Sequence, residues 1–582
     1  MYIFYDTETS GLERNFAQVL QGAFVVTDDD LNIIASKKIE CRLSPWVVPG
    51  PGALLTTKFS NDDLTNREHS GFQMMQDIDH WLRAQSWPLI FAGFNTLGYD
   101  EDVLGQNFYV NMLEPGLTQA AHPSGDGRRN TRFDVLNAVQ AVQAYMPGVL
   151  KLDTLSEKGN PVLKLSVVAE QNGVGLSKDA AHDALNDIIA TVGVAKVIKN
   201  ATPEIWAQMH RLATQEGVDA FMAESKVFTH TSVFFGKNKP MVATSVAMRG
   251  HRTEILFDLS LDPAPYLSMS VEQLKDAIAS QSKKPAKNAP PAVAPFRFVR
   301  KDQQPIMMPI DMSDAVLPPN FDEKLALARA EAIKAHPQFQ ENMKLAAQMV
   351  KDEKDAAATQ KREAKAQASA APKTAETETE KPAPKRRSKK AVPAATAQVT
   401  PPPPVQAAKE EIPEERKQEI LKKADEWKEE FRAAASWKRK AALAEGFSAR
   451  FAEEITEYPP LERFTSFAYH IIFEHAPEAL APQKLLDIKR EIAAIVLSPD
   501  PDAPWMTVAK AYSEIEEIEK DRAEGKKNKW DDVPAARLAE LKQFYAGIEK
   551  EYAPYLQPAG NDNISAAPAT NPVKKQRGPS PH

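Results

Sequence analysis

Apolar and polar positions divide the chain into stretches of different period. Residues 2–6 form a short β-prone run, and 23–27 and 33–43 repeat that character around the turn-forming Asp28-Asp29-Asp30. Residues 87–94 are apolar and bounded by Pro88 and Gly93, which predicts a buried strand. A helical period over 72–83, 100–112, 133–145 and 184–198 predicts helices. Strands first and then alternating elements predict an α/β unit over residues 1–200, a mixed sheet flanked by helices.

The pattern changes in residues 201–350. A helical stretch (204–213) leads into β-rich segments at 226–235, 240–248 and 253–258, with Arg249-Gly250 as a tight turn between two of them. A helix at 271–279, a strand at 296–299 and one or two helices over 320–350 follow, so this part reads as a small β-barrel with helical additions. Residues 351–409 are dominated by Ala, Lys, Glu, Pro and Thr, and no aromatic residue occurs from Gln340 to Glu426. Such a segment buries too little apolar surface to offset ordering, which predicts a disordered linker. Ile420, Ala424, Trp427, Phe431, Ala434 and Trp437 then recur at helical spacing and open an all-α region, 410–558. Residues 559–582 read as a mobile tail.

Composition narrows the classes. The 582 residues, 43% apolar and 26% charged, suit several folded units and exclude a wholly disordered chain. The single cysteine, Cys41, rules out an intrachain disulfide or a Cys-based zinc cluster and fits a reducing compartment. No run approaches the roughly 18 apolar residues of a membrane span, and the first residues lack a signal-peptide pattern, so a cytoplasmic location is expected. The net charge of −7 argues against a generally basic nucleic-acid-coating protein but leaves room for a local basic track. Arg128, Arg129 and Arg132 form one cluster; Lys237, Lys239, Arg249, His251 and Arg252 form another on the predicted hairpins. The block 385–390 reads as a solvated charge run or a loose DNA contact.

The chemistry centres on Asp6-Thr7-Glu8-Thr9-Ser10-Gly11. Asp6 and Glu8 stand two apart at the end of a predicted strand, so both carboxylates face one side. Paired carboxylates repel unless a cation compensates, and an all-oxygen set suits Mg²⁺ or Mn²⁺. An exposed turn capped by Asp6 is the alternative on these residues alone. Asp100 follows the apolar strand and opens a helix; Asp187 lies five residues after His182 at the start of another. Each alone also reads as a helix-start acid favoured by the helix dipole.

Together the segments Asp6-x-Glu8-Thr9-x-Gly11, Asn95-x-x-x-Tyr99-Asp100 and His182-Asp183-Ala184-x-x-Asp187 resemble the DEDDh 3′→5′ exonuclease superfamily. Within it, Pro51-Gly-Ala-Leu-Leu-Thr56, Gly93-Phe-Asn-Thr-Leu-Gly-Tyr-Asp100, Asn107-Phe-Tyr-Val-Asn111 and Arg132-Phe-Asp134 resemble the bacterial exonuclease I family. Phe228-Thr-His-Thr-Ser232 and Met248-Arg-Gly250 look like that family's SH3-like domain, and Arg463-Phe-Thr-Ser-Phe-Ala-Tyr469 like its helical C-terminal domain. Ser10, where the best-known members carry an aromatic residue, and the long linker are departures.

The resemblance implies a ribonuclease-H-like exonuclease domain (1–200), an SH3-like domain with helical additions (201–350) and a helical C-terminal domain (410–558). It further implies Asp6, Glu8, Asp100 and Asp187 as ligands of two Mg²⁺ ions, which Mn²⁺ would replace, and His182 as general base. The implied activity is 3′→5′ hydrolysis of single-stranded DNA to 5′-mononucleotides in repair and recombination. Strand contacts are expected from Leu54, Thr56, Tyr99, Arg128, Arg129, Arg132 and Arg249. The implied partners are single-stranded DNA and the tail of the single-strand-binding protein, and the implied state is a bacterial, cytoplasmic monomer. A DEDDh exonuclease acting on RNA or proofreading a polymerase, and an inactive nucleic-acid-binding scaffold, are the alternatives.

Overall fold

The computed structural model describes residues 1–122, 124–175, 183–281, 294–370 and 412–556, excepting the side chains of 361–370. The N-terminal sheet contains β1 (Tyr2–Thr9), β2 (Val19–Thr27), β3 (Ile33–Glu40), β4 (Ile90–Gly93) and β5 (Thr131–Asp134), in the order β3-β2-β1-β4-β5. β1 runs antiparallel to β2 and parallel to β4, and β4 parallel to β5, giving the predicted mixed sheet. Helices α1 (Pro51–Thr57), α2 (Asn61–Asn66) and α3 (Gly71–Arg83) separate β3 from β4. Next come α4 (Asp100–Val110), α5 (Val135–Tyr145), α6 (Leu165–Gln171) and α7 (Ala184–Ala201).

The alternation along β1 determines what each sheet face meets. Ile3 and Tyr5 join a core containing Phe72, Met75 and Ile78 of α3 and Val103, Leu104 and Phe108 of α4. Tyr2 and Phe4 join the opposite core with Val139 and Val142 of α5 and Ile188 and Val192 of α7. Ser70 starts α3 with a capping box, its hydroxyl accepting the Gln73 N–H at 3.1 Å while the Gln73 side chain accepts the Ser70 N–H at 3.0 Å. Several boundaries differ from those expected: β1 continues to Thr9, β3 ends at Glu40 and β4 covers only Ile90–Gly93. β2 begins at Val19 and includes the polar Gln21, buried at 4% exposure, and residues 131–134 form β5 before the helix starts at Val135.

Helices α8 (Pro203–Arg211) and α9 (Gln215–Glu224) lead to a second sheet of five antiparallel strands, the region expected to be SH3-like. These are β6 (Phe228–Phe234), β7 (Lys237–Arg249), β8 (Thr253–Asp258), β9 (Phe296–Arg300) and β10 (Ile306–Pro309), in the order β10-β6-β7-β8-β9. Helices α10 (Ala264–Leu267), α11 (Val271–Gln281), α12 (Glu323–Lys334) and α13 (Pro337–Ala370) complete this part. The length of α13 corrects the linker reading, since residues 351–370 are helical. The packed first turns supply the costly nucleus, and Ala, Lys and Gln propagate it cheaply. The pairs Gln348–Asp352 at 2.8 Å and Lys351–Asp355 at 2.7 Å support the extension at i,i+4 spacing. The rest of the predicted linker, 371–409, and the tail lie outside the described residues.

The C-terminal region is helical, as expected. Its longer helices include Glu414–Ala433, Arg463–His475, Pro482–Val496, Val508–Ala523 and Ala535–Tyr552. Trp427, Phe431, Ile471 and Ile515 belong to the same core as Ile3 and Tyr5, so these helices close one face of the N-terminal unit rather than hanging beside it. Tyr545 donates to the Pro49 carbonyl at 2.8 Å and the Gly52 N–H donates to Glu514 at 2.9 Å, seating α1 against them.

Candidate active site

Three acids converge because of strand parity. Asp6 and Glu8 share the β1 face of Tyr2 and Phe4, which is covered by α7, and Asp187 lies in the first turn of α7. One carboxylate oxygen from each of Asp6, Glu8 and Asp187 falls within 4.8 Å of the other two. Asp100 is placed differently. Its Oδ1 accepts the Thr7 hydroxyl at 2.6 Å and the Thr7 N–H at 3.2 Å, so it borders the trio without joining it.

Two local devices position Asp100. An added Cβ at Gly93 would stand 2.8 Å from the Tyr5 carbonyl oxygen, so only glycine lets β4 end this close to β1. The Asp134 carboxylate accepts backbone N–H groups of Asn95 at 2.8 Å and Leu97 at 3.2 Å, bracing the turn that precedes Asp100. Asp134 was legible only as part of a motif; its bracing role depends on β4 and β5 being neighbours.

Confining these acids makes ionisation costly. Burial, then repulsion from Asp100, Glu8 and Asp187, pushes the Asp6 carboxyl well above its ordinary range. Burial and then Asp187 push Glu8 up to about 8. Burial raises Asp100 to about 6 against the opposing hydrogen bonds from Thr7. A hard divalent cation removes this conflict, and the donor set of carboxylate oxygens matches its preference. The residues therefore fit such an ion. His182 lies outside the described residues. Its neighbour Asp183 caps α7, accepting the Asn186 N–H at 3.3 Å, and is ion-paired to Lys38.

The expected strand contacts separate. Arg132 is buried, ion-paired to Glu101 at 3.2 Å and bonded to the Asp302 carbonyl at 2.9 Å, so its guanidinium ties β5 to the segment between β9 and β10. Leu54, in α1, is wholly buried in the core. Arg128 is exposed, but its guanidinium is paired with Asp126 at 2.6 Å. Arg129 is half-buried in the same loop, whose backbone bridges Ala121 to Arg129. Thr56 bonds its own helix at Gly52 (2.8 Å). Tyr99 shares its hydroxyl with Thr9 at 2.7 Å and Gly11 at 2.5 Å, closing the loop after β1. Arg249 lies with its guanidinium 5.0 Å from the Phe298 ring centroid. Ser10, the departure from the motif, accepts the Gln18 N–H on its hydroxyl at 2.9 Å and the Gly50 N–H on its carbonyl at 2.7 Å.

No family model matches the chain. Over 206 residues it is 29% identical to exodeoxyribonuclease I of Buchnera aphidicola subsp. Schizaphis graminum, covering 35% of this chain and 40% of the relative. It is 23% identical to exodeoxyribonuclease I of Escherichia coli K12 over 313 residues, 53% of this chain and 63% of the relative. The matched sequence thus spans under two thirds of these relatives. The fold agreement is longer. Exonuclease I of Methylocaldum szegediense superposes with TM-score 0.64 at 17% identity, over 94% of this chain and 99% of that one. E. coli exonuclease I in complex with a dA16 oligonucleotide gives 0.61 at 17% identity over 94% and 99%, and an ExoI/SSB-Ct complex gives 0.62 at 16% over 96% and 99%. The resemblance to bacterial exonuclease I carried by the motifs is therefore present in the chain's sequence and in its fold.

Proposed function

We propose that this chain is a divalent-metal-dependent exodeoxyribonuclease that hydrolyses single-stranded DNA from its 3′ end and releases 5′-mononucleotides. The observation that carries this reading is the convergence of Asp6, Glu8 and Asp187 within 4.8 Å, with Asp100 held beside them by Thr7. These four acids would hold two Mg²⁺ ions, with Mn²⁺ as a substitute. Bound there, the ions would activate water and offset charge on the leaving 3′-oxygen.

The protein's own contribution is positional. Thr7 and Asp134 hold Asp100, while Gln21 and Lys38 hold the start of α7 and hence Asp187. His182, five residues before Asp187, is the proposed general base, an imidazole whose ordinary pKa lies near neutrality. The five-stranded second sheet, read as the SH3-like module, and the C-terminal helices would guide the strand. A DNA-repair and recombination role and docking of the single-strand-binding-protein tail belong to the same proposal; a solved ExoI/SSB-Ct complex supports the latter.

Digestion of end-labelled single-stranded DNA, duplex DNA and RNA, with Mg²⁺ and with EDTA, tests this. The expected result is mononucleotide release from the 3′ end of single-stranded DNA alone, abolished by EDTA. Degradation of RNA would move the chain to the RNA-acting members of the superfamily. Binding without degradation would make it a scaffold. Among the described residues no helix is long and apolar enough to cross a membrane.

A further inference from the structure

The corner between β9 and β10 holds a residue in a costly conformation. After the short turn Lys301–Gln303, Gln304 has φ of 46° and ψ of 65° and stands immediately before Pro305. A side chain bearing a Cβ is disfavoured at positive φ, and a following proline favours extended backbone. Gln304 is only 1% exposed, so its neighbours maintain this conformation. Strain that the surroundings over-determine gathers at functional sites.

Those neighbours lead to Asp100. Gln304 Oε1 accepts the Asp134 N–H at 2.7 Å, and its Nε2 donates to the Met209 carbonyl at 3.1 Å. The Asn137 amide donates to the carbonyls of Gln303 and Gln304, both at 3.2 Å. Asp134, fixed in this way by its backbone, accepts the N–H groups of Asn95 and Leu97 on its carboxylate. Asn95 has a φ of 66°, so one buried aspartate links two strained residues. A second tie runs in parallel. The Asp302 carbonyl accepts from Arg132, whose guanidinium pairs with Glu101, the residue after Asp100. Residues 302–304 therefore grip Asp100 from two sides, through the turn that precedes it and through the first turn of α4.

We propose that Gln304 is a positioning residue of the metal centre, acting through Asp134 on the turn that aims Asp100. The proposal rests on the nuclease reading, in which Asp100 is a metal ligand, and adds that a corner of the second sheet helps to build the centre. A ligating carboxylate binds well only when the groups behind it fix its direction, and losing such support typically costs about 10–100-fold in metal affinity or activity. Gln304 touches no reacting atom; its effect is on the geometry of the acid set.

The test compares Mn²⁺ titration calorimetry and steady-state digestion of oligothymidylate in three variants of the full chain. Gln304→Gly takes the positive φ without strain and loses both side-chain bonds. Gln304→Met keeps the side-chain length and loses the same two bonds. Gln143→Ala, the control, cuts the 2.8 Å bond from α5 to the Gly236 carbonyl, which joins the same two units elsewhere. Both Gln304 variants should bind Mn²⁺ about tenfold more weakly and lose a similar factor in kcat, with the KM for the strand unchanged. Gln143→Ala should match the parent. Unchanged Mn²⁺ affinity in either folded Gln304 variant, or an equal fall in Gln143→Ala, overturns the coupling and leaves the nuclease reading standing. A raised KM with Mn²⁺ affinity intact does the same. A parent chain that takes up no Mn²⁺ takes down the nuclease reading and the proposal together.

Discussion

The Gln21 side-chain carbonyl accepts the Ala184 N–H at 3.0 Å, so a residue of β2 holds the first residue of the helix that carries Asp187. The Gln21 amide in turn donates to Glu40 at 2.5 Å, and Lys38 lies between Glu40 and Asp183. Replacing Gln21 with Ala frees that end of α7. We expect a loss of about 1 kcal/mol in stability and roughly tenfold weaker Mn²⁺ binding. Calorimetric titration and thermal melts check both; undiminished Mn²⁺ affinity would mean that α7 is anchored elsewhere.

Asp6→Asn separates charge from shape at the centre of the acid trio. Nuclease activity should vanish, and Mn²⁺ should no longer raise the melting temperature. In EDTA the variant should instead be more stable than the parent by about 1 kcal/mol or more at pH 8, because one repelling buried charge is gone. The same repulsion sets a pH dependence. Glu8, pushed from 4.5 to about 8, keeps a proton in the metal-free fold that it loses when unfolded. Its contribution is therefore full below pH 4.5 and disappears as pH rises through 8. The cation must displace that proton, so Mn²⁺ affinity should climb up to about pH 8. An affinity flat between pH 5 and 8 would contradict the coupling (titration by calorimetry in matched buffers).

Arg132 and Arg249 make opposite predictions. Arg132→Ala should destabilise the fold by about 3–5 kcal/mol, since it strands the buried Glu101 carboxylate. Arg249→Ala should melt nearly as the parent does. If Arg249 meets a phosphate, its loss should also lower the salt dependence of strand binding by about one ion. Denaturant titration and salt-dependent anisotropy distinguish the two. A stable Arg132→Ala protein with weakened strand binding would place Arg132 on the strand path.

His475 joins the C-terminal helices to the N-terminal unit. Its Nε2 lies 2.7 Å from the Ser70 hydroxyl, and its ring stacks on Trp437 with centroids 4.7 Å apart. Burial, with Arg42 and Lys440 nearby, draws its pKa from 6.5 down to about 4. The fold binds the neutral ring, so this contribution is intact above pH 6.5 and is lost as pH falls towards 4. Limited proteolysis should therefore begin to cut between the C-terminal helices and the sheet unit as pH drops through that window. His475→Gln should flatten the effect, and an unchanged acid response in that variant would place the weak point elsewhere.

The acids were legible early because their signals are local. A spacing of two along a strand puts Asp6 and Glu8 on one face whatever surrounds them, and the amphipathic segments 72–83 and 184–198 carry their own period. The burial of Arg132 and Leu54 was not legible, for the complementary reason. A charge and a motif position say nothing about burial, which came from Glu101 and Asp302 across 31 and 170 residues of chain and from helices more than 350 residues away. Residues 351–370 misled because composition measures the capacity to bury surface, whereas a helix already nucleated by packed turns extends without burying any.

What the sequence by itself determined, then, is the set of chemical groups and the strand face that two of them share, because alternation and charge are properties of neighbouring residues. What only the tertiary structure decided is which distant groups meet. Asp187 joins Asp6 and Glu8 while Asp100 turns to Thr7, and Gln304 reaches Asp134 across 170 residues of chain. Those outcomes depend on packing between elements, whose energies no single stretch of chain contains.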